Sequence, residues 1–198
     1  MIWLLRTLRA QWLAPAMVVL GVASALLMGQ TFVIPIIDSN AAFGQMPYTV
    51  VTPLIGVVLC GYLTADSVTP TSGVATRPHR ALLAATTIGA VGLYAAGHWV
   101  ALHLLERAYD LSGARNALGY AALLLLAQAW VGLRHAPLVP VAYVVLSTIF
   151  GRIRGVIQPW AWPALEGGAI DLWVAAAAAI AAAVVFGTTP SRASSPTG

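Results

Sequence analysis

Residue types that could do chemistry are few in this chain. Among its 198 residues there is one cysteine, Cys60, inside an apolar run, and all ten basic residues are arginines. A chain without lysine cannot build the usual phosphate-binding P-loop, a Schiff base or a Ser-Lys dyad. A single cysteine allows no disulfide within the chain and no Cys-x-x-Cys redox pair. The favoured interpretation of Cys60 is a small buried hydrophobic residue.

Histidines and carboxylates are the remaining candidates for a metal or haem site. His103 and Glu106 are three residues apart, so on a helix they share a face and could hold a metal ion. His98 and His103 are five apart, which separates them by about 140° around a helix. His79 and His135 fall at the other predicted membrane face, so no partner lies at the depth of His98. Packing between helices or near an interface is the favoured interpretation of these histidines.

Charged residues gather between the third and fourth apolar segments, where Glu106, Arg107, Asp110 and Arg115 occur. Opposite charges three or four positions apart at a helix end form solvated pairs of small value, so we expect such pairs here. Asp171 lies just inside the last apolar segment, and the other charged residues lie at or near span ends. The chain therefore lacks the buried carboxylate expected of a proton-coupled carrier.

The elements that position these residues are long apolar segments. Hydrophobic residues make up 60% of the chain and charged residues 8%, whereas soluble proteins carry about 25% charged residues. A membrane-spanning helix needs about 20 apolar residues. We therefore predict an all-α integral membrane protein with six transmembrane helices. The predicted spans are roughly 13–37, which is long enough to tilt or to break at Pro35, 48–65, 81–105, 116–133, 137–153 and 170–188.

Small residues in two spans predict close helix packing. They are Ala85/Gly89 and Gly92/Ala96 in the third span, and the alanines at 175–179 and 181–183 in the sixth. Such residues let helix backbones approach one another in a membrane.

Both chain ends are predicted on the cytoplasmic side. This orientation gives the cytoplasmic segments six arginines and the outer segments four, a modest positive-inside bias. The inner six are Arg6, Arg9, Arg77, Arg80, Arg134 and Arg192, and the outer four are Arg107, Arg115, Arg152 and Arg154. Arginines spread over several loops form no basic face for nucleic acid. We predict one transmembrane domain over 1–188, with a short interfacial segment at 1–12 and a disordered tail at 189–198.

Two connections differ from ordinary loops. The longest polar interval runs from Asp66 to Arg80, and we expect it to meet a soluble partner. The stretch 151–168 is too apolar for a free loop and is interrupted by two prolines. A re-entrant element packed against protein and an ordinary loop anchored by tryptophans at the membrane interface both fit that stretch.

These features together resemble the membrane subunit of an ABC-2-type ATP-binding-cassette transporter. The likeness rests on a short basic N-terminus, six spans with both ends inside, the loop after the second span and the interrupted stretch before the sixth. Ser72-Gly-Val-Ala-Thr-Arg-Pro-His-Arg80 is similar to the Gly…Thr-x-Pro-x-Arg style of coupling loops in that family. Ala114-Arg-Asn-Ala-Leu-Gly119, followed by an apolar run, is similar to small Arg- and Ala-rich permeases of actinobacteria.

The resemblance implies that the 66–80 loop docks into a separate ATPase, which would hold ATP and Mg²⁺. This chain itself would need no cofactor or metal and would not be an enzyme. Gly73, Thr76, Arg77 and Arg80 would contact the ATPase, with the arginines pairing to its acidic residues. Positive-inside topology alone is the alternative explanation of the two arginines.

The resemblance also implies an outer gate formed by the stretch before the sixth span, with Trp160, Trp162 and Glu166. It further implies a homodimer, or a heterodimer with a related membrane subunit, in the bilayer of a bacterial plasma membrane. An amphipathic, lipid-like or peptide substrate fits better than an ion, because no charged pathway is evident. The main alternative is a non-catalytic accessory or assembly subunit of a membrane complex. A redox or intramembrane enzyme and a carrier are further alternatives.

Overall fold

Six α-helices are present in the residues that the structure describes. The computed structural model covers 10–38, 41–66, 77–106, 110–153, 156–165 and 168–189. The helices are α1 Ala10–Leu26, α2 Tyr48–Asp66, α3 Arg77–Leu104, α4 Ser112–Trp130, α5 Leu138–Phe150 and α6 Ala169–Thr188. The predicted helical class is confirmed. The interfacial segment at 1–12, apart from the first residues of α1, and most of the tail at 189–198 lie outside the described residues.

Three helices are long and apolar enough to cross a membrane within this described part: α2, α3 and α6. They indicate a membrane protein. α5 has 13 residues, and at 1.5 Å per residue it is about 20 Å long, which is short of a hydrocarbon core of about 30 Å. The predictions of six spans and of cytoplasmic ends stay predictions.

The first apolar segment is not the single long helix that the predicted span 13–37 required. α1 ends at Leu26, and a turn containing Gly29 at φ +82° leads into strand β1, Thr31–Asp38. β1 pairs antiparallel with β2, Ala41–Pro47. The β-branched and aromatic residues of β1 favour a strand, and a left-handed glycine favours the end of a helix.

Successive helices run in alternating directions between two ends of the bundle. Asn116 near the start of α4 contacts Thr49 at the start of α2, and Gln128 near the end of α4 contacts Thr64 near the end of α2. α6 begins beside the first turn of α4 and ends beside Arg80 in the first turn of α3. We call the end that carries the β1–β2 pair the hairpin end, and the other the opposite end.

Helix α4 is the centre of the packing, since fourteen of its nineteen residues are buried. One apolar cluster joins it to α1, α2 and α3 around Tyr94 and Tyr120, and another joins it to α3 and α6 around Leu125 and Phe186. The small-residue packing predicted for α6 is confirmed by its alanines in the second of these clusters.

The close packing predicted for α3 occurs at other glycines. A Cβ atom on Gly21 of α1 would collide with the carbonyl oxygen of Tyr94, and one on Gly97 of α3 would lie 2.9 Å from that of Val18. A Cβ atom on Gly89 or on Gly92 would meet no described atom within 4 Å, and Ala85 and Ala96 are exposed. The prediction is therefore wrong for the packing within this chain, because α3 turns a different face towards α1.

Candidate functional site

The first turn of α4 holds two buried polar residues, Arg115 and Asn116, which are 4% and 0% exposed. The helix begins at Ser112, before the predicted span start at 116. The Asp110 carboxylate accepts hydrogen bonds from Ser112 N at 2.8 Å and from Ser112 Oγ at 2.9 Å, which is an Asx-type turn into the helix. The expectation of a solvated ion pair is therefore wrong for Arg115, because its guanidinium is enclosed by protein.

Arg115 binds the connection between α5 and α6. Its Nη2 donates to the carbonyl oxygens of Trp162 at 2.8 Å and of Leu165 at 2.6 Å. Trp162 is the first residue of a 3₁₀ turn, Trp162–Ala164, and Leu165 directly follows that turn. Arginine suits this role because its planar donors can reach several oxygens at once and its charge strengthens each bond.

Asn116 ties the same connection to a third element. Its Nδ2 donates to the carbonyl oxygens of Pro163 at 3.0 Å and of Thr49 at 3.1 Å, and its Oδ1 accepts from Arg115 Nη2 at 3.2 Å. Two adjacent side chains thus bind buried and part-buried carbonyl oxygens from the 3₁₀ turn, the residue after it and the start of α2. We call Arg115 and Asn116 the α4 clamp.

The indole ring of Trp162 fills the space beneath the clamp. Its centroid lies 5.4 Å from the ring of Tyr120, 5.7 Å from that of Tyr143 and 5.9 Å from the guanidinium carbon of Arg115. Gly119 makes room for it, because a Cβ atom there would lie 2.8 Å from Trp162 Cζ2. The connection is therefore packed into the helices at this point, as the re-entrant interpretation requires, while its depth in a membrane stays a prediction.

Trp160 and the segment before the 3₁₀ turn lie nearer the surface. Trp160 is exposed, and its carbonyl oxygen accepts a hydrogen bond from Tyr143 Oη. A two-residue strand pair, β3 Arg152–Ile153 with β4 Val156–Ile157, follows α5. Glu166, the third predicted gate residue, lies outside the described residues, so the gate role stays a prediction.

Asp171 places a carboxylate beside the clamp, at the start of α6. Its Oδ2 lies 3.9 Å from Arg115 Nη1 and accepts a hydrogen bond from Gly168 N at 3.1 Å. The Asp171 side chain is 54% exposed, against 5% for that of Arg115. The carboxylate thus caps α6 and keeps one side towards the surroundings.

A cavity of about 540 Å³ opens next to this pair. Its walls are α4, α6 and the connection around Trp162, and among the described residues that line it all are apolar apart from Arg115 and Asp171. The volume falls within the range of about 300–1,000 Å³ typical of small-molecule sites. The site therefore combines an apolar groove with the Arg115–Asp171 pair at its end.

The histidines occupy separate positions. His98 is fully buried, and its Nε2 lies 3.2 Å from the carbonyl oxygen of Asp110. His103 is exposed and stacks on Trp99, with ring centroids 5.8 Å apart. No group of three or more His, Cys, Asp or Glu able to hold a metal ion occurs within the described ranges. These positions fit the packing interpretation.

Arg80 is the predicted ATPase-contact residue whose side chain is described. Its Nη1 donates to the carbonyl oxygen of Thr189 at 2.8 Å, and its guanidinium carbon lies 5.3 Å from the ring centroid of Phe186. Arg77 is the first residue of α3, but its side chain is not described. Gly73 and Thr76 lie outside the described residues, so the predicted ATPase contact stays a prediction.

Comparison of the chain with protein-family models, with curated proteins and with solved structures finds no match. The site must therefore be interpreted from its own residues. The sequence pattern placed Arg115 among solvated ion pairs and gave Asn116 no role beyond the resemblance. The signal that could have found the pair is a cation next to an amide at the start of an apolar helix, where both need buried partners.

Proposed function

We propose that this chain is the membrane-embedded permease subunit of an ATP-driven exporter of the ABC-2 type. In this proposal six spans cross a bacterial plasma membrane, the opposite end faces the cytoplasm, and the 66–80 loop binds a separate ATPase that holds ATP and Mg²⁺. A second copy, or a related membrane subunit, completes the pathway.

The observation that supports the proposal is that α6 contacts one arginine at each end of the bundle, Arg80 at one end and Arg115 at the other. At its end, Arg80 binds the Thr189 carbonyl oxygen and covers the ring of Phe186. At its start, Asp171 lies beside Arg115 and the groove. Arg80 is the last residue of the predicted 66–80 docking loop and lies in the first turn of α3.

This arrangement gives a physical route for coupling. A force on the docking loop acts on the start of α3, and the Arg80 contact transfers it to the end of α6. α6 is a continuous helix of 20 residues, so a shift at one end moves Asp171 and the groove at the other. Hinge and shear movements of packed helices are the usual means of such transitions.

The chemistry of the clamp also supports a non-catalytic role for this chain. The donors of Arg115 and Asn116 bind backbone carbonyl oxygens, and Asp171 caps a helix. These groups position main chain, which suits a subunit whose energy source is a partner.

The test is gentle purification of the chain from its native membrane, with mass spectrometry of the proteins that accompany it. We expect an ATPase with a Walker-type P-loop, and we expect Arg77→Glu to reduce its recovery. Because Arg80 contacts Thr189 and Phe186 of this chain, Arg80→Met should weaken the link to α6, so that substrate no longer stimulates hydrolysis by the ATPase that is recovered. Arg134→Glu is the matched control, because this exposed arginine lies outside the loop at the same end.

Recovery of unrelated membrane proteins without an ATPase would contradict the proposal. That result would favour the accessory or assembly subunit instead. Equal ATPase recovery with wild type and Arg77→Glu would leave the exporter assignment standing and refute the docking loop.

A further inference from the structure

The groove beside the α4 clamp faces the outside of the bundle. Leu126 of α4 and Val174 and Ala178 of α6 line it and are exposed. α6 is also the least enclosed of the three candidate membrane spans, with 17% of its membrane-length window buried. In a bilayer these exposed apolar residues contact acyl chains, so the groove opens sideways to lipid.

The groove is short enough to lie within one leaflet. Along α6 it extends from Asp171 to Ala178, which is about 10 Å at 1.5 Å per residue. Half of a hydrocarbon core is about 15 Å. A helix from another chain would be expected to pack along more of α6 than this. The loop that carries Pro159 and Trp162 forms part of the groove and limits its length.

The charges at the end of the groove select among amphiphiles. Arg115 is enclosed, and its positive charge lies 3.9 Å from the half-exposed carboxylate of Asp171. The pair is neutral overall but dipolar, with the anion outermost. A headgroup that carries a phosphate and an outer ammonium complements this arrangement, because its ammonium can approach Asp171 while its phosphate lies in the field of Arg115.

We infer that the groove binds one acyl chain of a zwitterionic phospholipid with a primary-amine headgroup, such as an ethanolamine phospholipid. The acyl chain lies along Leu123, Leu126, Val174 and Ala178. The primary ammonium donates N–H bonds to the half-exposed Asp171 carboxylate, which a quaternary ammonium could not do. This inference requires α6 to lie in a membrane, but it requires neither an ATPase nor transport, so it stands or falls separately from the proposed function.

The first experiment uses the wild-type full chain in phosphatidylcholine nanodiscs. An ethanolamine phospholipid with a diazirine in one acyl chain is added at low mole fraction, and crosslinked peptides are mapped by mass spectrometry after irradiation. We expect labelling to concentrate on the groove residues of α4 and α6. Unlabelled ethanolamine phospholipid should compete about two- to fivefold better than phosphatidylglycerol of the same acyl composition, as for a half-exposed ion pair.

Three variants test the geometry. Ala178→Phe fills the groove and should lower labelling about tenfold, since the added ring occupies the acyl-chain space. Ala177→Phe is the matched control, because Ala177 is exposed on α6 but does not line the groove. Asp171→Asn should remove the headgroup preference while keeping the helix cap, since the asparagine Oδ1 can accept the same hydrogen bond from Gly168 N.

Labelling spread evenly over the exposed face of α6 in wild type would overturn the inference, whatever the variants do. Equal competition by the two headgroups would overturn the assignment of the amine. Equal losses in Ala178→Phe and Ala177→Phe would show that the groove is not the binding place.

Discussion

The two ends of α4 each carry a buried side-chain amide, but they satisfy it differently. At the hairpin end, Asn116 donates to two backbone carbonyl oxygens at 3.0 and 3.1 Å. Towards the opposite end, Gln128 is 2% exposed and makes one side-chain bond, from Nε2 to Thr64 Oγ1 at 3.4 Å. Its Oε1 has no hydrogen-bond partner in the part of the chain that the structure describes.

The difference shows which end is fixed and which can rearrange. Carbonyl oxygens in an apolar region must be paired, so the α4 clamp allows the segment around Trp162 little freedom. Gln128 Oε1 has no partner among the described residues, and the bond from Nε2 to Thr64 Oγ1 is long. A shift of α2 against α4 at this end would therefore break one weak side-chain hydrogen bond between them. Under the proposed function, α6 and its Asp171 would shift against a connection that the α4 clamp holds to α4 at the hairpin end.

Among the variants that test this contrast, Arg115→Met should lower the free energy of unfolding most. It removes two charge-assisted hydrogen bonds, to the carbonyl oxygens of Trp162 and Leu165, of which the Trp162 oxygen keeps the bond from Leu165 N. A hydrogen bond to a charged group contributes about 1.5–3 kcal/mol. We expect a loss of about 3 kcal/mol in the free energy of unfolding, measured by circular dichroism in mixed detergent micelles. The exposed Arg134→Met should change it by less than about 0.5 kcal/mol. Equal effects of the two variants would refute the clamp.

Asn116→Leu should have the next largest effect. It removes the donor to Pro163 and Thr49, and we expect a loss of about 2 kcal/mol. Combined with Arg115→Met, the loss should be smaller than the sum of the two single losses, because both residues hold the same segment. A strictly additive double variant would show that the two side chains act independently.

Gly119→Ala tests the packing of Trp162 against the clamp. The added Cβ atom collides with the indole ring, and overpacking of this kind costs about 1–3 kcal/mol. The matched control is Gly89→Ala in α3, where a Cβ atom meets no described atom within 4 Å. Its higher helix propensity should stabilise the protein by up to about 1 kcal/mol. The packing of Trp162 against Gly119 is supported if the free energy of unfolding falls in Gly119→Ala and rises in Gly89→Ala, in the same measurement.

The sequence could predict those helices whose limits are marked by polar or turn residues. The span 48–65 corresponds to Tyr48–Asp66, and 170–188 to Ala169–Thr188. It could not predict the end of α1, because an apolar run has the same composition in a helix and in β1. Boundaries between two apolar elements carry little signal.

The clamp could not be predicted for a different reason. The partners of Arg115 are backbone carbonyl oxygens nearly fifty positions later in the chain, and any residue type supplies a carbonyl. Charge spacing pointed instead to neighbouring acids, of which Asp110 binds Ser112. A side chain that binds main chain leaves no matching residue in the sequence.

The smallest effect should come from Gln128→Met, and it is the sharpest test of the contrast. Gln128 has one buried polar atom without a partner among the described residues whichever way its amide is oriented, since one end alone reaches Thr64. Methionine has a similar length and adds no polar atom, so the lost bond is offset by the relieved desolvation. We expect the free energy of unfolding to change by less than about 1 kcal/mol, in either direction. A loss as large as that of Asn116→Leu would mean that the opposite end is held as firmly as the hairpin end, and the proposed division between a fixed and an adjustable end would be wrong.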